Sequence, residues 1–168
     1  MRMVGPGMAV LSKKSDVRCH IALCCRRLSQ TSTTTEAGFQ IVGHIVFRKR
    51  YASKSRFLSY EHESAYLLAK GRPRLPALPV PDVLEFPYSG NRLHPTQKPV
   101  EPLKTLIRAF TRPGQVALDP FCGSGSTLAS VQELERRFIG IGIDIDAGHW
   151  RTARKRLMIR DECLAVAA

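Results

Sequence analysis

From Phe39 onward, hydrophobic and polar positions fall into patterns that name their elements. Phe39 to Phe47 is rich in β-branched and aromatic residues and predicts a strand. Arg48 to Arg56 is dense in Lys and Arg and predicts a basic loop, and Ser64 to Ala69 is a second apolar run that ends at Lys70-Gly71. Two such runs with a loop between them predict a β-hairpin-like pair. Residues 72–88 carry Pro73, Pro76, Pro79, Pro81 and Pro87. Repeated Pro removes backbone donors and excludes a helix, so 72–93 is expected to be an extended connector over the domain surface.

The period then changes from two to 3.6. Leu103, Leu106, Ile107 and Phe110 lie on one face of a helix over Glu101 to Phe110, which Pro113-Gly114 ends. Val116 to Asp119 is a short buried strand that enters a Gly-rich turn. A helix over Ser126 to Glu135 turns Leu128, Val131 and Leu134 inward, and Arg137 to Asp144 is a second strand. A third helix, Ala147 to Met158, buries Trp150, Ala153 and Leu157. Helix–strand–helix–strand–helix order predicts an α/β fold with a mostly parallel sheet.

Residues 1–38 lack sustained periodicity, although Val17 to Leu28 has the pattern of one short helix. They hold six Lys or Arg and the polar run Ser29 to Thr35, a composition similar to a transit peptide. We expect a poorly ordered N-terminal segment here, a domain over 39–160 and a tail over 161–168.

Composition narrows the function. The 168 residues are 43% apolar and 24% charged, enough to bury one core and too ordinary for a fibrous or wholly disordered chain. The sequence lacks the roughly 20 consecutive apolar residues of a membrane span, so no membrane partner is expected. Lys plus Arg is 26 against 14 acids, a net charge of +12, which favours nucleic acid as partner over a merely well-solvated surface. The five Cys (Cys19, Cys24, Cys25, Cys122 and Cys163) are odd in number, and we expect free thiols in a reducing, cytoplasmic compartment. Cys19, His20, Cys24 and Cys25 lack paired Cys-x-x-Cys spacing, so no metal is assigned to them.

The strongest local signal is Asp119-Pro120-Phe121-Cys122-Gly123-Ser124-Gly125, placed after a strand and opening a helix. Gly123 and Gly125 let backbone turn tightly and approach a ligand with no Cβ in the way. The helix start beyond them presents unpaired N–H groups suited to an anion. Asp144, 25 residues after Asp119 at the end of the next strand, can accept hydrogen bonds from a ribose diol. A Gly turn that merely joins strand to helix is the plainer reading of the same residues. The strand–turn–helix–strand–acid context favours a nucleoside cofactor.

That segment resembles the S-adenosylmethionine-binding motif of DNA amino-methyltransferases. His94-Pro95-Thr96-Gln97-Lys98-Pro99, ahead of it, resembles the companion motif in the permuted β-type of that family, the adenine-N6/cytosine-N4 DNA methylases. The resemblance runs from about residue 39 to 158 and leaves 1–38 unmatched. It implies a partial Rossmann-like methyltransferase fold with S-adenosylmethionine as cofactor and DNA as partner. By the same resemblance Gly123 and Gly125 let the loop pass close to the cofactor, and Asp119 and Phe121 line its methionine and adenine sides. Thr96 and Lys98 hold the methionine end, and Asp144 takes the ribose. The resemblance also implies that the loop with Arg48, Lys49, Arg50, Lys54 and Arg56 faces DNA, a merely solvated loop being the plainer reading of the same charges. Cys122 is read as packing, since these enzymes form no covalent adduct with the base.

The sequence also departs from the family. Its catalytic motif is an acidic or amide residue followed by Pro-Pro and an aromatic, which holds and stacks a flipped base. No Asp-Pro-Pro-Tyr occurs, and Glu85-Phe86-Pro87-Tyr88 is the nearest imitation. No catalytic residue is therefore assigned. The family's acidic strand reads Gly-Ile-Glu, and the doubled Gly140-Ile141-Gly142-Ile143 leaves Asp144 or Gly142 at that place; Asp144 retains the carboxylate. Three readings follow. One is a DNA amino-methyltransferase that is weak or inactive alone. The second is a non-catalytic module that binds cofactor and DNA or completes a catalytic half on a complementary chain. The third is a gene fragment without activity.

Overall fold

The computed structural model describes residues 8–12, 20–24, 38–54, 57–90, 92–93, 97–119, 122–140 and 147–158. Its seven strands are β1 (Met8–Ser12), β2 (His20–Cys24), β3 (Gln40–Lys54), β4 (Ser59–Lys70), β5 (Val83–Phe86), β6 (Val116–Asp119) and β7 (Arg137–Gly140). Its helices are α1 (Val100–Phe110), α2 (Ser126–Glu133) and α3 (Ala147–Arg156). The strands form one sheet in the order β5-β3-β4-β2-β1-β6-β7.

The expected parallel sheet is mixed. β6–β7 and β3–β5 are parallel pairs, and the other four ladders are antiparallel. Followed from ladder to ladder, β2, β3, β5, β6 and β7 run one way while β1 and β4 run against them. The expected hairpin is β3 with β4, from Gln40↔Ala69 to Lys54↔Ser59.

Four expectations change. Val17 to Leu28 is not a helix in its described part, since His20–Cys24 is a strand between β1 and β4. β1 and β2 also place two strands within a segment expected to be poorly ordered. Ladder bonds on both sides outweigh weak local preference in such short pieces. The basic loop is largely strand, because Phe47, Lys49 and Tyr51 alternate with Arg48 and Arg50 and carry β3 on to Lys54. The Pro-rich connector contains β5, whose four residues lie between Pro81 and Pro87 and pair with Val46 to Lys49.

α1 joins two cores. Its Leu106 packs with Ile45, Phe47, Ala65, Leu84 and Phe86 on the hairpin side. Its Leu103 and Ile107 pack with Ala117, Val131 and Leu134 on the β6 side. A third cluster, Cys122, Leu128, Ala129 and Leu157, fastens α2 to the turn after α3. Cys122 is 9% exposed there, consistent with a packing role. Among the described residues no helix is long and apolar enough to cross a membrane.

Candidate functional site

The ladders put several chain segments at one edge of the sheet. Leu118 is level with Val10, Ala22, Leu68 and Ile41 through four successive ladders. The carboxyl ends of β6, β7 and β5 therefore face the same way as the far part of β3. The β3–β4 hairpin overhangs this edge. From Leu67, level with Asp119, to Ser59 is eight residues, roughly 26 Å along the strand.

Asp119 ends β6 with 4% exposure, and the Gly-rich turn follows it. The turn closes through Gly125 N–H to the Cys122 carbonyl at 2.7 Å. Gly123 and Gly125 both have positive φ, +48° and +75°, a region costly for any residue with a Cβ. Their open faces differ. A Cβ on Gly125 would meet Ala153 Cβ at 3.3 Å, so this glycine is needed for contact with α3. A Cβ on Gly123 would meet nothing within 4 Å among the described residues. Among the described residues that side of the turn is open. A Cβ on Gly140, across from Asp119 on β7, would clash with Leu128 Cδ1, and that side chain would have to turn aside to admit it.

Two hydrogen-bonded groups brace the turn. Arg156 on α3 donates through Nη1 to the Ser124 carbonyl at 3.3 Å and to Ser126 Oγ at 3.1 Å. Burial lowers the pKa of its guanidinium, partly offset by Glu133, and the group stays charged. Ser130 Oγ, fully buried, donates to the Ser126 carbonyl at 2.8 Å and reaches the Val100 carbonyl at 3.4 Å. This second bond ties the start of α1, and hence Lys98-Pro99, to the helix that follows the Gly turn.

Lys98 lies beside Glu63 of β4 as an ion pair and has its Nζ 5.6 Å from the centre of the Phe86 ring. Lys49 Nζ approaches the other Glu63 oxygen at 3.3 Å. Burial alone would raise the Glu63 carboxyl pKa, but the Lys98 hydrogen bond and the two lysine charges outweigh it and hold the group below its ordinary value. Lys49 also sits 5.6 Å from the centre of Tyr51, which meets Tyr88 edge-on at 5.3 Å. Gln97, next to Lys98, accepts from Ser89 Oγ at its carbonyl at 3.0 Å and from the Leu93 N–H at Oε1 at 3.1 Å.

The basic cluster divides between two faces, as strand alternation requires. Arg48 and Arg50 stay 65% and 79% exposed and share Glu85, Arg48 Nε at 2.9 Å and Arg50 Nε at 3.3 Å. Their bonds hold the exposed Glu85 carboxyl below its ordinary range. Lys49 departs from the expected phosphate-facing set: its side chain is 9% exposed and belongs to Glu63. Thr96, Phe121, Asp144 and Arg56 lie outside the described residues, as does the side chain of Lys54. No cluster of three or more metal-ligating side chains occurs among the described residues.

Sequence patterns passed over Glu63 and Arg156. Glu63 occupies the inward register of Ala65 and Leu67, and a charge at an inward position is the signal that marks it. Arg156 lies three residues after buried Ala153, on the flank of the α3 face that meets the turn.

The comparisons agree with this geometry. Residues 82–155 match the family model for N6/N4 methyltransferases, described as DNA methylase. A protein named as a methylase, YubD of Escherichia coli strain K12, is 58% identical over 105 residues, 62% of this chain and 46% of its own. The type II methyltransferase M2.DpnII of Streptococcus pneumoniae is 48% identical over 69 residues, 41% of this chain and 25% of its own. The chain thus spans about half or less of the length of these two relatives. The M1.HpyAVI–SAM complex superposes with a TM-score of 0.67 at 27% identity, over 84% of this chain and 74% of that one. The fold is accordingly that of S-adenosylmethionine-dependent methyltransferases, and the stretch from 82 to 155, with both motifs in it, is what matches the DNA methylase family model.

Proposed function

We propose that this chain binds S-adenosylmethionine at the Gly123 turn and serves methyl transfer to an exocyclic amino group of adenine or cytosine in DNA. The observation that carries the reading is the space beside Gly123, at the carboxyl ends of two parallel strands and next to the buried Asp119. A buried carboxylate suits an ammonium or hydroxyl donor of the cofactor. The N-terminus of α2 adds positive dipole for a carboxylate. Lys98 supplies a cation whose position Glu63 fixes.

Asp119, Gly123, Gly125 and Lys98 would hold the cofactor together with Thr96, Phe121 and Asp144. The bound cofactor supplies an electrophilic methyl on a sulfonium, transferred by in-line displacement. The chain's own part is to place the cofactor and to keep the turn rigid through Arg156. Arg48 and Arg50, with Lys54 and Arg56, would meet DNA phosphates. Their exposed pairs with Glu85 are weak enough to exchange for a phosphate oxygen.

No Asp-Pro-Pro-Tyr is present to hold the target amine. The second reading is therefore a cofactor- and DNA-binding module that needs a complementary chain, and we expect the chain alone to methylate DNA poorly. Isothermal calorimetry with S-adenosylmethionine on the native chain and on Asp119→Ala tests the pocket. Binding that ignores the substitution refutes it. Robust transfer of labelled methyl to DNA by the purified chain would refute the dependence on a second chain.

A further inference from the structure

The far end of the β3–β4 hairpin carries side chains that neither the cofactor pocket nor the phosphate contacts use. Phe57 is 92% exposed, Leu58 60% and Tyr60 40%. Burying a Phe in water-free surroundings stabilises by roughly 1.5–3 kcal/mol, so an aromatic left so bare at a hairpin end forgoes that gain within its own chain. The hairpin overhangs the edge that holds Asp119 and the Gly turn. Arg48 and Arg50 stand midway along the hairpin, Arg48 opposite His62, with exposed guanidiniums. An apolar tip, a cationic middle and a reach comparable to the width of a duplex occur on one arm.

We propose that Phe57 and Leu58 form a wedge that inserts between base pairs of duplex DNA when Arg48 and Arg50 seat on its phosphates. The inference deepens the DNA reading above and rests on it for the partner. Charge selects that partner: the chain carries +12, and the guanidiniums stand on the arm that bears the apolar tip. The physical logic is that of apolar wedges generally. Unstacking one base step costs a few kcal/mol, which the wedge offsets by burying its own apolar surface and kinking the duplex onto more protein.

The test uses the full chain and a closed circular plasmid, so that no recognition sequence is needed. Plasmid is relaxed by a type I topoisomerase with saturating protein, the protein is removed, and the linking number is read on a gel. The native chain should leave a negative linking difference, because a wedge unwinds the duplex. Phe57→Ala/Leu58→Ala should abolish that difference while plasmid affinity falls by no more than about tenfold and the salt dependence of binding is unchanged. Phe57→Trp should restore the difference. Both residues are exposed, so folding is not at risk, and a matching urea midpoint checks this. The proposal fails if the native chain saturates the plasmid without altering its linking number, or if the double variant unwinds like the native chain. It fails equally if the tip drives flotation with anionic vesicles and leaves plasmid untouched. Absence of plasmid binding overturns both the wedge and the DNA reading, and retained calorimetric binding of S-adenosylmethionine would then leave the cofactor pocket standing.

Discussion

Gly123 and Gly125 sit two residues apart in the same turn, both at positive φ, yet a methyl group on each should do opposite things. An L-residue in the left-handed region costs roughly 1–2 kcal/mol. Gly123→Ala adds only that strain, since its Cβ enters open space among the described residues. We expect it to lower stability by about 1 kcal/mol. Gly125→Ala adds the same strain and also presses on Ala153 at 3.3 Å, so its loss should be larger, about 2–3 kcal/mol. If the space beside Gly123 is the cofactor's, the order reverses for binding. A methyl group there displaces the ligand and should weaken S-adenosylmethionine by tenfold or more, about 1.4 kcal/mol. Urea unfolding and isothermal calorimetry on the two variants measure both quantities. The reasoning is refuted if Gly123→Ala binds the cofactor like the native chain, or if both variants lose affinity in proportion to lost stability.

The depressed Glu63 carboxyl adds stability that is complete above its unfolded value, ordinarily 4.5, and is lost as pH falls through the lower folded value. Glu63→Gln should thus cost roughly 1–2 kcal/mol at neutral pH, allowing for solvent at this half-buried pair. In urea melts its gap to the native chain should close as pH falls below the ordinary 4.5 and through the lower folded value; a constant gap would count against the ion pair. Gly140→Ala forces Leu128 aside and should destabilise by roughly 1–3 kcal/mol, read as a lower melting temperature, and an unchanged one would mean that β7 and α2 pack differently. Arg48→Gln/Arg50→Gln should flatten the slope of log affinity for DNA against log salt by about two while leaving cofactor binding intact, and an unchanged slope would remove these residues from the interface.

Elements whose pattern is local were legible in advance. The Leu103, Leu106, Ile107 and Phe110 spacing defined α1, and the Gly-rich turn stood where β6 meets α2. Features decided by neighbours were not. The charge density of Arg48 to Lys54 hid a strand that becomes visible only with His62, Tyr60 and Ser59 of β4 opposite it. The prolines around β5 masked four residues that pair within a parallel ladder. β1 and β2 owe their extended form to ladders from β4 and β6, forty and more residues away in the chain. At the site, the motifs marked Asp119, Gly123, Gly125 and Lys98. The braces Glu63 and Arg156 come from other elements and carry no motif of their own, since their roles depend on which faces meet.

Because α1 lays Leu106 into one apolar cluster and Leu103 with Ile107 into another, it behaves as an axle set in two bearings. Neither half of the sheet can shift without turning that axle against the other half's grip. Lys98, two residues ahead of the first turn, is the crank on its end, so torque on the hairpin arm is delivered to the ammonium that Glu63 holds.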